Sequence, residues 1–508
     1  MSQRKSTISC GKRAASMSSM VFNLSASAMG AGVLSLPNAL YFAGAVSGTI
    51  CLVVFAICSC FSMIFLARSA RILKVDSFED VGERVYGCAG KSAVRISLLV
   101  LLFGATTAYF IVVGDLSTPV VCRQLLNGTY NETSDVCLNA TASETAVFLG
   151  SKPMCTIFLA IVPFVLSLLH SLKPLQFSSM GAVVAVVVVC VFIIIRSIQG
   201  GLDGTNYGGV ENFPTDVIGF TIAFPLQSVA FCSQFNVIEL QKETREAIGA
   251  KSDDAGQSGR ARAKALMRFS LSDCGICISV LVVGLLYMAV GFAGYFLFGS
   301  STGSFGNILN AFPLTDLLIE VGSMLVVLTV VLKLPLVLLP LRQVLNSSVC
   351  QNKKLNPFLH VLECFALIAS CTALAIVLDD LALAFQFLGC IGGTAVCFVM
   401  PGMFYYKTMK IVPTLPSTSN SANPKARYVT VDTEMADAAT DDYIALTDKD
   451  ETTNTSDSSR WCVQGCMGLT LAIFGALCGI VSLAATILEM VDPSIVEPSS
   501  PTTNSSWH

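Results

Sequence analysis

The sequence predicts an all-α membrane protein with eleven transmembrane helices: two successive five-helix units and one further helix, with helices 1 and 6 broken. Three observations predict it. The chain is 53% hydrophobic and 13% charged, where a soluble domain carries about 25% charged residues. Much of its surface therefore faces something other than water. Lysine and arginine fall almost wholly on one side of the apolar runs. Two of those runs, at corresponding positions, carry helix-interrupting residues near their centres.

A spanning helix takes about 20 mostly apolar residues. On that template eleven segments follow in chain order and are numbered 1 to 11 below: 17–43, 46–70, 94–119, 154–172, 177–198, 215–238, 271–298, 315–341, 358–378, 381–405 and 462–490. The expected organisation is an inner N-terminal tail (1–16), a ten-segment core (17–405) of two repeats (17–198 and 215–405), an acidic inner loop (406–461), segment 11 (462–490) and an outer tail (491–508). The opening residues MSQRKSTISCGKRAAS are polar and basic, with no short apolar core ending in a cleavage site. Segment 1 is therefore expected to direct insertion itself.

The charges orient the segments. With the N-terminus in the cytoplasm, 27 of the 31 Lys and Arg lie on the inner side and 3 on the outer side (Arg123, Lys152 and Arg196). The remaining one, Lys333, lies inside segment 8. This is a positive-inside distribution. The outer loop 122–150 points the same way: it holds glycosylation sequons at Asn127, Asn131 and Asn139, usable only on the lumenal side. Cys122 and Cys137 bracket two of these sequons and are candidates for a disulfide. Most other cysteines lie in apolar segments and read as small apolar filler. The tail 491–508 has no Lys or Arg, in keeping with an outer C-terminus. A net charge of −3 argues against a nucleic-acid partner; membrane lipid is the expected surroundings.

Two inner loops are long and polar. Residues 242–268 are basic, and 407–460 are rich in Ser, Thr and Asp, with nine acidic residues between Tyr428 and Arg460. Both compositions predict disorder. Within the second, Tyr443-Ile444-Ala445-Leu446 fits the tyrosine-x-x-bulky pattern that sorting adaptors read. Between segments 2 and 3, DSFEDVGERVYG predicts a short amphipathic helix on the inner surface.

Segment 1 contains SAMGAGVLSLPNAL (27–40), where Gly30, Gly32 and Pro37 interrupt an otherwise apolar helix. In hydrocarbon, unpaired backbone groups are tolerated only where they meet a cavity or a ligand. A half-helix N-terminus offers N–H groups to an anion, and unwound carbonyls suit a cation. The N–H groups of Gly30, Ala31, Gly32 and Val33 are therefore candidates to bind a carboxylate, with Ser27 just before them. A packing kink is the plain alternative, because small residues also let helices approach. Segment 6 repeats the pattern: Pro225 interrupts it, and the polar Gln227, Ser228 and Ser233 follow. Segments 1 and 6 open the two five-segment repeats, and matched interruptions point to a binding site between them. Phe224 joins the candidate site residues there.

Several stretches resemble the amino acid/auxin permease family, especially its sodium-coupled neutral amino acid transporter branch. They are MVFNLSASAMGAGVLSLPNAL in segment 1, AYFIVVGDL in segment 3, AFPLQSVAFCSQFNVIELQKE in segment 6, GYFLFGSS at the end of segment 7, LPLVLLPLR in segment 8 and FQFLGCIGGTAVCFVMPGMFYYK in segment 10. They run in the family's order from about residue 17 to 405. The resemblance implies a LeuT-type inverted five-plus-five repeat and secondary active transport of free amino acids. It also implies that the substrate amino group meets carbonyls of the two unwound regions, with Tyr109 lining the pocket from segment 3.

Two positions depart from the sodium-coupled pattern. Ala26 stands where those members have an asparagine four residues before the glycine pair, and Lys333 stands where they have a threonine two residues before Pro335. Both are sodium-site positions in the family. The expectation is therefore sodium-independent transport, proton-linked or facilitative, with Lys333 as a tethered cation. A buried lysine is by default functional and titratable. The alternative is that Lys333 snorkels to the inner surface, in which case sodium coupling returns. Glu363 is the candidate partner at similar depth; Glu320 lies too far outward.

An amino acid sensor with little net flux is the second reading of the whole chain. A channel would want rings of charge along a continuous pore, and the polar groups here are isolated. An enzyme is not expected: the 3 histidines are not grouped with cysteines or carboxylates into a metal site, and no nucleophile motif occurs. No cofactor is expected. The plasma membrane is favoured over a lysosome or vacuole as the location, and the residues leave the substrate's side-chain class open.

Overall fold

The computed structural model describes residues 2–131, 136–138, 144–168, 173–203, 209–214, 216–248, 270–313, 316–349, 357–378, 380–411 and 455–492. Within these residues, nine helices are long and apolar enough to cross a membrane, and ten if the bent pair Ala14–Ala28 and Gly32–Ala43 is one crossing. Segment 4, Lys152–Ser167, is apolar but shorter. Segments 2, 3, 5, 7, 8 and 9 are the helices Ala45–Leu73, Phe78–Gln124, Lys173–Asp203, Leu271–Phe298, Leu317–Val349 and Pro357–Leu378. Segment 10 is Leu381–Leu388, two π turns (Gly389–Gly393 and Ala395–Val399) and Met400–Ile411; segment 11 is Thr455–Val491.

The outside of this bundle is apolar. Ile50, Ile57, Leu285, Phe365 and Leu477 are each between 50% and 59% exposed. Water would penalise such a surface, whereas hydrocarbon does not.

Local chemistry fixes the helix starts. Ser77 accepts the Asp80 N–H at 3.1 Å and opens the expected surface helix. That helix runs to Gly87, where φ of +65° makes a kink favouring glycine before segment 3 continues. Ser270 and Asp273 form a capping box at the start of segment 7. The same Asp273 side chain is 0% exposed and holds Arg68 at 3.0 Å and Arg71 at 2.8 Å, both from segment 2.

Polar contacts sort the segments into two groups. Segments 1, 2, 6 and 7 are joined by Ser25···Ser279 at 2.9 Å, by Asn236 donating to Ser27 at 2.6 Å and by Gln227 donating to the Gly48 carbonyl at 3.2 Å. The Asp273 pairs add to these. Segments 3, 4, 5, 8 and 9 are joined by Lys152–Asp115 (2.8 Å), Arg123–Glu320 (3.2 Å), Arg196–Asp316 (2.6 Å) and Arg342–Glu363 (3.4 Å). The three basic residues expected on the outer side thus each meet a carboxylate at the same end of the bundle. Nearby, a disulfide ties Cys122, at the end of the segment 3 helix, to Cys137 in the strand Val136–Leu138, which pairs antiparallel with Thr129–Asn131.

Three expectations need correction. Segment 6 is not broken at Pro225, which lies inside the helix Val217–Ala230. The carbonyl that Pro225 cannot serve, that of Thr221, takes the Ser482 hydroxyl at 3.0 Å instead. The break comes after Ala230, and the helix resumes over Gln234–Ile248. Second, the inner loop expected to begin at 242 is helical up to Ile248. Third, the second inner loop is helical at its edges, where Met400–Ile411 and Thr455–Val491 extend into it. Tyr443 and Asn139 lie outside the described residues.

Candidate functional site

Segment 1 stops being α-helical after Ala28, and a short 3-10 turn, Ala31–Ser35, leads into Leu36–Ala43. The two halves are bent by 57°. A break at this depth frees backbone groups, and each has to be accounted for. In a continuous helix Ala26, Ala28 and Met29 would accept from Gly30, Gly32 and Val33. Here Val33 turns back to Gly30 O at 3.4 Å. The Lys333 ammonium donates to Met29 O at 2.9 Å and to Ala26 O at 3.5 Å. The Tyr287 hydroxyl lies 2.7 Å from Ala28 O and 2.9 Å from Ala230 O, giving its one proton to one or the other. The N–H groups of Gly30 and Gly32 make no backbone hydrogen bond among the described residues.

The break in segment 6, Phe231 to Ser233, is satisfied from segment 2. Ser59 donates to Phe231 O at 3.2 Å and accepts from Gln234 Nε2 at 3.0 Å, while Gln234 Oε1 accepts the Ser233 N–H at 2.9 Å. Tyr287 therefore bridges the two breaks, and they sit close together. A Cβ added at Gly32 would lie 3.6 Å from Ala230 Cα.

The breaks border a cavity of about 690 Å³ whose lining includes Ala26, Ser27, Gly30, Gly32, Tyr109 and Lys333. Tyr109 reaches the segment 1 break from segment 3: a Cβ added at Gly30 would lie 3.0 Å from its hydroxyl. Leu101, Ala105, Phe385 and Leu388 give the cavity an apolar wall. From the breaks it extends past Asn23, Glu239 and Pro340, toward the expected inner end. At the expected outer end a separate space of about 280 Å³ is lined by Asp115, Lys152, Glu320 and Asp380.

The structure brings together some of the residues singled out from the sequence and not others. Val33 lines a small adjoining space of about 20 Å³ with Gly30, Tyr109 and Lys333, and its N–H is engaged, so it is not a free anion donor. Phe224 packs on Phe55 and Phe220, with ring centroids 5.8 and 5.0 Å away. Gln227 is 0% exposed and bonded to segment 2, and Ser228 is buried near Gly393. None of these three lines the main cavity. Lys333 does not snorkel, because its ammonium sits on the segment 1 carbonyls. Glu363 is bonded to Arg342 and Asn346, and Glu320 to Arg123 and Gln124. Sequence reasoning missed Tyr287 and Asn236. Asn236 could have been found as a polar residue three positions after Ser233 in the same apolar stretch; Tyr287 gave no signal among its apolar neighbours in segment 7.

Two adjacent helix breaks bordering one cavity, inside a bundle of helices long and apolar enough to cross a membrane, define a multi-pass membrane protein with a cavity beside its unwound segments. The chain belongs to the transmembrane amino acid transporter protein family, whose sequence pattern matches residues 13–249 and 268–419. It is 24% identical over 394 residues to vacuolar amino acid transporter 5 of Schizosaccharomyces pombe, covering 76% of this chain and 83% of that one. It is also 24% identical to solute carrier family 38 member 10 of Rattus norvegicus, covering 78% of this chain but only 33% of that longer protein. Amino acid transporter AVT6E of Arabidopsis thaliana is 24% identical, over 75% of this chain and 74% of that one. Of solved structures, the inward facing conformation of Mhp1 is similar at a TM-score of 0.49 and 11% identity, covering 93% of this chain and 90% of that one.

Proposed function

We propose that this protein is a sodium-independent secondary transporter of amino acids, in which the Lys333 ammonium takes the place of a coupling sodium ion. The observation that carries this reading is the 2.9 Å bond from Lys333 to Met29 O at the end of the inner half of segment 1. Freed carbonyls at a half-helix C-terminus form a site for a cation. A protein cation occupies it. Lys333 also joins the two groups of segments, reaching from segment 8 to segment 1. Its bonds can therefore hold or release their relative position in a transport cycle.

The free N–H groups of Gly30 and Gly32, just after Met29 in the chain, supply an anion site suited to a substrate carboxylate. The family relationship supports amino acids as that substrate. Tyr109 closes the site, and the apolar wall of Leu101, Ala105, Phe385 and Leu388 receives the side chain. Protons are the candidate coupling ion, with Lys333 as the group that carries them.

The remaining expectations form part of the same reading. The core of ten segments plus segment 11 crosses the membrane eleven times. The N-terminus is cytoplasmic, and the C-terminus and the loop 122–150 are outside. Asn127 and Asn131 carry glycans, as does Asn139. The plasma membrane is the proposed location, with Tyr443 as a sorting signal; vacuolar naming of one relative makes an acidic organelle the competing outcome.

The test is uptake of labelled amino acids into proteoliposomes, screened over all twenty. Saturable flux of at least one supports the reading. Saturable binding with no flux would replace transport by sensing.

A further inference from the structure

Segment 11 turns one face to the core. Cβ atoms added at Gly468, Gly475 and Gly479 would lie 2.7 Å from Gly402 O, 2.4 Å from Phe398 Cβ and 2.7 Å from Thr394 Oγ1. Further out, Ser482 donates to Thr221 O at 3.0 Å and Thr486 meets Cys390 Sγ at 3.9 Å. The three- and four-residue spacing continues to Glu489, which places it on the same helix face.

The side chain of Gln386, from segment 10, faces the Glu489 carboxylate with its amide donor. Glu489 Oε2 is nevertheless buried without a hydrogen-bond partner among the described residues. Gln386 is itself 1% exposed, and its Oε1 also has no partner. Two buried acceptors at one spot therefore have no donor among the described residues. The charged groups on the elements packed there offer none. Asp380 at the head of segment 10 acts on Glu489 as a like charge. Asp216 heads segment 6, and Asp492 follows on Glu489's own helix. Residues 217–230 and 381–399 contain no Lys, Arg or His. Arg68 and Arg71 of segment 2 are engaged with Asp273.

We propose that Glu489, Gln386 and Asp380 form a proton-binding site between segments 10 and 11, distinct from Lys333, through which pH at the expected outer face sets the transport rate. A proton on Glu489 Oε2 turns an acceptor without a donor into a donor, and removes a buried charge from beside another carboxylate. The site shares a helix turn with the cavity wall. Gln386 stands between Phe385 and Leu388, both cavity-lining, and the two π turns of segment 10 follow immediately. Such turns recur at functional places in helices.

The effect on transport rests on the proposed function; proton binding itself does not, so two readouts separate them. In detergent, the thermal midpoint of the wild type is expected to fall as pH rises through the titration of the site. The Glu489→Gln variant, a neutral isostere, should lack that component and behave at every pH like the low-pH wild type. Gln386→Leu, which removes a donor to the carboxylate, should displace the component by about tenfold in proton concentration. In proteoliposomes, Glu489→Gln should flatten the dependence of uptake on external pH. Identical pH profiles in wild type and Glu489→Gln, in both readouts, would overturn the proposal. So would a thermal midpoint that follows sodium or potassium concentration at fixed pH, which would make the site one for a metal cation.

Discussion

The ammonium of Lys333 lies 2.9 Å from the carbonyl oxygen of Met29, an oxygen that a continuous helix would have bonded to Val33. Lysine and helix break therefore satisfy each other. The break exposes two carbonyls at the negative end of a half-helix, which favours a cation there. Hydrogen bonds from a charged donor contribute about 1.5–3 kcal/mol each. That offsets much of the several kcal/mol that burying an ammonium costs.

The free N–H groups of Gly30 and Gly32 are expected to fail as an anion site when the backbone there is crowded. Valine at Gly32 adds two methyl groups beyond a Cβ already in contact with Ala230 Cα at 3.6 Å. Gly32→Val should lower uptake at least about tenfold, equivalent to about 1.4 kcal/mol, while surface expression persists. Normal uptake by a variant that reaches the surface would remove the carboxylate from this site.

Tyr287→Phe tests the bridge between the two breaks. It leaves Ala28 O and Ala230 O without the hydroxyl that now serves them. The expected cost is about 1–3 kcal/mol in thermal stability, accompanied by slower uptake. A fully stable variant with wild-type rates would mean that the two breaks are positioned by packing alone.

Helices 1 and 6 differ in how far their breaks were legible. In segment 1 the signal was local: Gly30 and Gly32 in an apolar run, and the structure unwinds there. In segment 6 the local signal misled. Pro225 is accommodated inside a helix because Ser482, more than 250 residues away, serves the carbonyl it leaves free. The actual break, over Phe231–Ser233, has neither glycine nor proline, and Ser59 and Tyr287 make it possible from other segments. No local pattern encodes that support. Polarity misled for the same reason: Gln227 serves a segment 2 carbonyl rather than the cavity. Lys333 was conspicuous as a buried charge, but its direction depends on where segment 1 packs, as does the pairing of Glu363 with Arg342.

Asp273 is expected to matter for stability rather than for substrate. Its carboxylate is 0% exposed between Arg68 and Arg71. Asp273→Ala leaves two largely buried guanidinium groups without their counter-charge, which costs about 3–5 kcal/mol. Thermal unfolding in detergent should show a large drop in midpoint, and little change would mean that the arginines find water instead.

The topology has a direct readout. Glycosidase should shift the mobility of the wild type but not that of a triple Asn127/Asn131/Asn139→Gln variant. A tag inserted near Asp441 should be unreachable in intact cells. Labelling of that tag from outside would contradict the eleven-crossing arrangement.

The most direct test of the central claim replaces sodium by choline during uptake. Two unit charges about 4 Å apart repel by about 4 kcal/mol at an effective dielectric of about 20, so a sodium ion should not share the segment 1 carbonyls with the Lys333 ammonium. Uptake by the unmodified protein should be unchanged by the replacement. Lys333→Thr combined with Ala26→Asn, which restores oxygen ligands and removes the tethered charge, should gain sodium dependence. Sodium-dependent uptake by the unmodified protein would contradict the account, since it would show that Lys333 does not stand in for the coupling ion.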